Sequence, residues 1–487
     1  MKTASNDTVR RLRKIIDEHH YGTKGLRERF GISGPPKPVD RNRVLHLTRE
    51  ITAENALVRL FLLGSSLARE STDVLPRELL DLALETGLID IEEGRILPRA
   101  VIVPIEQLLF ASDAFSMLGS DRSGDFVVPA STHAANFLRQ LTLREPVGTT
   151  LDLGCGCGIQ ALFAAAHSQR VVATDISESA VGYARFNAAL NGIDNIDCRA
   201  GDRLAPVKGE KFDLIVSNPP FVPGPAKQFV YRDSDLDLDE FCRQLLTDAS
   251  NHLYDGGCLQ LLFESVEIEG QNWPDRIRSW VRGTGCDAWV LHSPPVHPLH
   301  YAARRLADVD AAQPEQNTYE EWVGYFESRR VAAIHPAMIT LRKRKARNWV
   351  HFHGVVADID GEAGGAVRAG LRACDLLDQC AQDDALLGAR LRLSPALRLE
   401  QQFARDNETW SPERSLLWMN NGLRMDAEVD MQIIAFLHQI HPDQTLRETI
   451  DGFGEAVSAD PAKLVTDLLP VVRLFIGRGF IESASFD

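Results

Sequence analysis

The stretch LDLGCGCGIQA, residues 151–161, sets a short apolar run against three glycines at alternate positions, Gly154, Gly156 and Gly158. An apolar residue then resumes at Ile159 and the chain continues IQALFAAAH, which has the composition of a buried helix. Read together, the residues give a strand, a glycine turn and a helix. Glycine at such a junction lets backbone approach a ligand closely and leaves N–H groups facing it. By itself the turn fits a dinucleotide loop equally well.

The residues downstream sharpen the reading. RVVATD ends a second strand on Asp175, 17 residues after Gly158. A carboxylate there can accept from both hydroxyls of a ribose, which suits NAD or S-adenosylmethionine. NIDCRAGD ends a third strand with Asp202, placed to accept from an adenine amine. KFDLIVSNPPF runs a fourth apolar strand into Ser217-Asn218 and then two prolines and an aromatic. Asn-Pro is ordinary turn chemistry. After the three preceding strand ends it reads instead as a site.

Further along, CLQLLFES, CDAWVLHS and AAIHPAMITLRKR supply three more strands, the last after an irregular insertion around 293–330. Seven strands alternating with helices such as SESAVGYARFNAALNG argue for a doubly wound α/β sheet. This places a catalytic domain over residues 121–348. Residues 1–120 read as mainly helical, with DTVRRLRKIIDEH and AENALVRLFLLGSSLA at helical spacing. A helix and two short strands around Glu92-Glu93-Gly94 follow, giving a winged-helix-like N-terminal module. Residues 349–487 read as a mainly helical module, with a strand candidate in NWVHFHGVVADI and a second winged-helix-like unit near the end.

Composition bounds the class. The 487 residues are 44% hydrophobic and 25% charged, ordinary for a soluble globular chain. There is no apolar run of the ~18 residues a membrane span needs, and the first twenty residues lack a secretory core. Eight scattered cysteines make no disulfide framework, so a reduced, cytoplasmic protein is expected. The net charge of −15 disfavours clamping of bare nucleic acid. Two basic stretches run against that trend: residues 1–50, with twelve Lys/Arg against six Asp/Glu, and LRKRKAR at 341–347.

LDLGCGCG, VVATDIS, AGD and SNPPF, in that order and at these intervals, resemble class I S-adenosylmethionine-dependent methyltransferases. The resemblance covers roughly residues 125–345. Its Asn-Pro-Pro-Phe form is similar to N-methyltransferases acting on planar nitrogens: release-factor glutamine enzymes, small-domain rRNA and tRNA guanine enzymes, and adenine enzymes. It implies a Rossmann-like sheet and S-adenosylmethionine as cofactor. Asp152 and the three glycines would line its methionine and ribose side, and Asp175 would bind the ribose. Ile176 would pack on the adenine, with Asp202 and Arg203 beside its amine. Thr132 would belong to the loop ahead of the first strand, DFVVPASTHAA, which lacks the acid several relatives carry there.

The resemblance makes Asn218, Pro219, Pro220 and Phe221 the catalytic loop. An amide or exocyclic amine is a poor nucleophile because its lone pair is delocalised. Two carbonyl acceptors, Asn218 Oδ1 and the Pro219 carbonyl, would hold its hydrogens and stabilise developing positive charge. Pro220 would stiffen the loop and Phe221 offer a stacking face. Tyr231 and Arg232 would line the substrate mouth. No metal site is expected, since Cys155 and Cys157 read as small fillers and the histidines lack paired zinc spacing. The expected acceptor is a nitrogen on a macromolecule, with protein favoured over an RNA base. A non-catalytic cofactor-binding module is the rival from another class. The sequence leaves the oligomeric state open.

Overall fold

The computed structural model describes every residue except 1, 3, 33, 35–37, 69–72, 115–124, 226–235, 310–318, 356–358, 360, 407–408 and 485–487. Side chains 38–39, 308–309 and 406 are also left undescribed. The chain divides into two compact units. The first holds Met1–Arg139, Glu145–Gly285 and Pro295–Arg344; the second holds Gln140–Arg144, Cys286–Pro294 and Lys345–Asp487.

The large mixed sheet has eight strands. They are β1 (Val147–Leu153), β2 (Ser168–Asp175), β3 (Ile196–Ala200), β4 (Phe212–Ser217), β5 (Leu253–Ile268), β6 (Cys286–His292), β7 (Val331–Lys343) and β8 (Val350–Gly354). Six lie in the first unit, in the order β7-β5-β4-β1-β2-β3. The other two, β6 and β8, pair in parallel in the second unit, from Ala288↔Val350 to His292↔Gly354. All seven expected strands form, and the eighth is the strand candidate at NWVHFHGVVADI.

Strands β1 to β5 are parallel, and β7 runs antiparallel to β5. Most central residues of β1, β2, β4 and β5 are buried and largely apolar, as strands covered on both faces require. The chain steps outward from β1 to β2 and β3, then crosses back to lay β4 on the other side of β1. That reversal is a topological switch point, where open α/β sheets form a crevice at their carboxyl ends. Register brings the four motif strands to one edge: Leu153 lies opposite both Thr174 and Ser217, and Asp175 opposite Ala200.

Three expectations need correction. The segment 293–330 is not irregular: it contains helices Pro298–Val309 and Tyr319–Ser328. Prolines 294, 295 and 298 mask the first, yet Pro298 is its opening residue, where a missing N–H costs nothing. The C-terminal segment contains an antiparallel sheet of Leu397–Asp406, Thr409–Met419 and Asp426–Val429. No side chain from Arg398 to Arg414 is buried among those described, so the apolar alternation that marks a strand is missing there. In the N-terminal stretch, a second hairpin, Val101–Ile105 with Leu108–Ser112, follows the expected one at Ile89–Glu92 and Arg95–Pro98.

One core of the first unit joins its N-terminal segment to the helices beside β1 and β2. Val9, Leu12 and Ile16 of the opening helix, Phe61, Ile102 and Phe110 belong to the same buried cluster as Phe163, Tyr183, Phe186 and Leu190. Phe110 stacks on Phe163 with centroids 6.0 Å apart. The opening helix also takes its positive charge into local pairs. Arg10 meets Asp194 at 2.7 Å, Arg11 meets Glu78, and Arg13 meets Asp17 at 2.9 Å.

Because that core is shared, a chain starting at Phe126 is expected to lose cooperative thermal unfolding and to aggregate. The exposed face of Phe163, Phe186 and Leu190 alone represents several kcal/mol of burial at about 25 cal/mol per Å². A sharp melting transition in that shortened chain, followed by circular dichroism, would show the two parts to be independent.

Candidate active site

Three left-handed glycines shape the turn after β1: φ is +75° at Gly154, +54° at Gly156 and +84° at Gly158. A Cβ at Gly154 or Gly156 would meet nothing within 4 Å, so backbone conformation alone demands glycine there. At Gly158 a Cβ would also crowd Ala184 Cβ and Leu162 Cδ1, both at 3.1 Å.

Such a turn has no ladder to satisfy its polar groups, and neighbouring elements supply the partners. The Gly154 and Cys155 N–H groups both donate to the Thr174 carbonyl, at 2.9 Å each. Gly156 N–H donates to Asp175 Oδ2 at 2.9 Å. Gly158 N–H donates to the Cys155 carbonyl at 2.8 Å. The carbonyl of Cys157 accepts from Asn187 Nδ2 at 2.8 Å.

Two carboxylates stand at this edge. Asp152 is 1% exposed and accepts from the Ala161 N–H at 2.8 Å. Burial pushes its carboxyl up to about 7; the Ala161 N–H pulls the other way, and the charge of Asp175 adds to the rise. Asp175 accepts from Ser177 N–H through its other oxygen, at 3.0 Å. Burial raises its carboxyl too, against the N–H groups of Ser177 and Gly156. Next to it Ile176 is 57% exposed, an isoleucine without cover at the end of β2. Asp202 and Arg203 follow β3, both exposed, with Arg203 Nε 3.5 Å from Asp202. Thr132 is half-buried at the start of helix His133–Leu141, where its hydroxyl accepts from the Ala135 N–H at 3.4 Å.

β4 ends at Ser217, whose hydroxyl donates to the Leu153 carbonyl at 2.7 Å and ties the two sides of the switch point. The next residue carries the local anomaly. Asn218 Oδ1 is buried and has no hydrogen-bond partner among the described residues. Pro219 is buried, and Pro220 and Phe221 are half-buried. Phe221 and Val222 pack against Tyr301, Trp322 and Phe326 of the two helices in 293–330. A Cβ on Gly224 would come within 2.4 Å of the Trp322 ring. Tyr231 and Arg232 lie outside the described residues.

The same helices carry residues that sequence reading missed. Glu264, on the part of β5 that runs past the end of β4, is buried and accepts from Tyr301 Oη and from Arg305 Nη2, the latter at 2.6 Å. Its contacts come from a segment taken for irregular loop, so no sequence spacing pointed to them. Cys155 and Cys157 are buried, and burial pushes both thiols up, Cys157 to about 12.

A glycine turn, an acid at the end of the second strand and SNPPF at the end of the fourth thus meet at one edge of the sheet. Residues 130–268 match the methyltransferase small domain. That segment is similar to the methyltransferase small-domain family. Residues 369–483 match a domain of unknown function, DUF7782. A Salmonella arizonae protein named ribosomal RNA small subunit methyltransferase C is 38% identical over 117 residues, 24% of this chain and 31% of its own length. The release factor glutamine methyltransferase of Deinococcus radiodurans is 36% identical over 152 residues, covering 27% and 54%. The ribosomal protein uL3 glutamine methyltransferase of Bradyrhizobium diazoefficiens is 31% identical over 149 residues, covering 28% and 47%. The chain thus spans from about a third to about half the length of these curated relatives.

The raised carboxyl of Asp152 gives a pH test of this geometry. Its folded value of about 7 stands above an ordinary 3.8, so ionising it opposes folding. The stability tied to its proton is complete below the ordinary value and is lost as pH rises through about 7. Asp152→Asn keeps an acceptor for Ala161 N–H and removes the charge. Ligand-free Asp152→Asn is therefore expected to melt several degrees above the parent at pH 8, with the gap closing towards pH 5. A constant gap in thermal scans across that range would contradict the assignment.

Proposed function

We propose that this protein is an S-adenosylmethionine-dependent N-methyltransferase acting on an amide or amine nitrogen of a protein. The observation that carries the proposal is the buried, unpartnered Oδ1 of Asn218 at the switch point beside the glycine turn. A buried acceptor left without a donor costs about 1–3 kcal/mol, and at this edge of the sheet a substrate donor would offset that cost.

The residues present fit the cofactor. Gly154 and Gly156 leave space over the turn, the Asp175 carboxylate stands at its rim, and the uncovered Ile176 can pack on a flat ring. Asp152 and Gly158 hold the turn from below; Asp202, Arg203 and Thr132 stand as further contacts. Bound there, S-adenosylmethionine supplies an electrophilic methyl group. Asn218 Oδ1 and the Pro219 carbonyl accept the two hydrogens of the incoming nitrogen and orient its lone pair. They also stabilise the charge that appears on nitrogen, so no strong base is needed before transfer. Phe221 offers its face to a planar amide, with Pro220 and the Trp322 contact keeping the loop in place. Tyr231 and Arg232 are proposed for the mouth.

A protein acceptor is favoured by the overall charge, and the pairing of Arg10, Arg11 and Arg13 with acids offsets part of the positive charge of the N-terminal stretch. Names of relatives reach both ways, to ribosomal RNA and to release factor and ribosomal protein. We assign the chemistry to residues 121–348 and acceptor recognition to 1–120. A winged-helix-like reading of 1–120 is supported by the bridge of Leu67 to Ile96, which adds an edge to the hairpin after helix Arg77–Thr86. All eight cysteines are buried thiols, in keeping with a proposed cytoplasmic location.

S-adenosylhomocysteine is expected to raise the melting temperature of the full chain. Asp175→Ala should weaken its binding by about 1–3 kcal/mol. Asn218→Ala should leave that affinity nearly unchanged while turnover falls about a hundredfold or more. Tritiated-methyl transfer into cell extract, with ribonuclease or protease digestion, separates the acceptors. Label lost to ribonuclease would move the acceptor to RNA, and parent-rate turnover by Asn218→Ala would remove the role given to SNPPF.

A further inference from the structure

Among the described residues, no strand pairs with the outer edge of strand Leu108–Ser112 of the second N-terminal hairpin; three side chains of helix Glu178–Leu190 and its cap stand there instead. Asn191 accepts from Leu109 N–H at 2.9 Å and donates to the Leu109 carbonyl at 2.8 Å. Asn187 accepts from Ala111 N–H at 2.8 Å and donates to the Ala111 carbonyl at 2.9 Å. Tyr183 Oη donates to Asp113 Oδ1 at 2.7 Å. The spacing explains the match. Four residues of helix rise about 6 Å and two residues of strand about 6.8 Å, so side chains at 183, 187 and 191 keep step with alternate strand residues. A carboxamide has the donor and acceptor of a peptide group, so the two asparagines take the place of a neighbouring strand.

They differ in two respects: Asn191 Oδ1 also accepts from Arg13 Nη1, at 2.7 Å, and the second amide hydrogens go to different carbonyls. The second hydrogen of Asn191 Nδ2 goes to the Asn187 carbonyl within its own helix, at 2.8 Å. The second hydrogen of Asn187 Nδ2 goes to the Cys157 carbonyl, between the left-handed Gly156 and Gly158. Asn187 is 0% exposed, and its three bonds use its acceptor and both amide hydrogens. One buried carboxamide therefore joins the hairpin backbone to the glycine turn.

We propose that Asn187 is a positioning residue that couples the seating of the N-terminal hairpin to the affinity of the glycine turn for S-adenosylmethionine. This rests on the cofactor assignment above. Without Asn187 the Cys157 carbonyl loses its side-chain donor, and a turn of three glycines has many other conformations open to it. The N-terminal part then acts on cofactor binding through one hydrogen bond as well as through the shared core.

The test compares full-length Asn187→Ala with Asn191→Ala, which cuts the same kind of strand contact without touching the turn. Calorimetry with S-adenosylhomocysteine is expected to show affinity reduced tenfold or more in Asn187→Ala and within twofold of the parent in Asn191→Ala. KM for S-adenosylmethionine should rise with kcat at saturation within about twofold, as expected when binding rather than the transition state is affected. Amide hydrogen exchange over residues 156–161 of the ligand-free chain should quicken in Asn187→Ala alone. If Asn187→Ala does not fold, Asn187→Ser, which is too short to span both partners, takes its place. Parent-like affinity in a folded Asn187 variant would overturn the proposal, as would equal losses in both asparagine variants. If the parent binds no S-adenosylhomocysteine, the cofactor reading fails instead, and the exchange comparison still decides the role of Asn187.

Discussion

Everything at the carboxyl edge of the sheet depends on how the backbone of the glycine turn is satisfied. Residues 154–158 adopt left-handed conformations at three positions and so leave any regular ladder. Their N–H and C=O groups still need partners once buried. The second strand provides the Thr174 carbonyl and the Asp175 carboxylate, and the following helix provides Asn187. Asp152 holds the first turn of helix Ile159–Ala164 from beneath. The turn is thus a shape imposed from three sides. Glycine permits it, and the neighbours choose it.

That arrangement has an electrostatic consequence. Asp152 and Asp175 lie near the ends of adjacent strands; burial raises both carboxyls, with the charge of Asp175 adding to the rise at Asp152 and that of Asp125 to the rise at Asp175. Exposed pairs elsewhere on the chain, such as Arg199 with Asp197, lower the carboxyl instead. An edge that keeps two acids while burial works against their charge is suited to a ligand with hydroxyl donors and a positive centre. In the proposed reaction the sulfonium of S-adenosylmethionine has that charge and its ribose has those donors.

The sequence was most legible where burial is complete. Strands β1, β2 and β4 read cleanly because a strand covered on both faces is a run of Val, Leu and Ile. The site was legible for a related reason: Gly154, Asp175 and Asn218 each interrupt such a run at its end, and one strand order brings the ends together. What stayed hidden was whatever lacked that contrast. Asn187 and Asn191 look like surface residues of an alanine-rich helix, since their partner is backbone eighty residues earlier and backbone leaves no trace in composition. Tyr301, Arg305 and Trp322 were lost behind three prolines. The sheet from Leu397 to Val429 carries charged and polar side chains on both faces of its hairpin, so neither a period of two nor one of 3.6 emerges.

The Asn218 loop answers a harder physical demand than the turn. A buried acceptor without a donor favours any motion that would find it one, water included. Keeping it in place requires the chain on both sides to be fixed by other contacts. On one side the Ser217 hydroxyl is committed to the Leu153 carbonyl across the switch point. On the other, Val222 is buried against the Trp322 cluster, and Gly224 lies so close to the indole that no side chain fits. Between them Pro219 and Pro220 fix φ and contribute no N–H that could turn inward to satisfy Asn218. Two prolines after an asparagine are therefore more than a strand stop. They remove the nearest backbone donors from the Asn218 oxygen, which in the proposed reaction accepts from a substrate nitrogen, and the helices of 293–330 hold the loop that carries it.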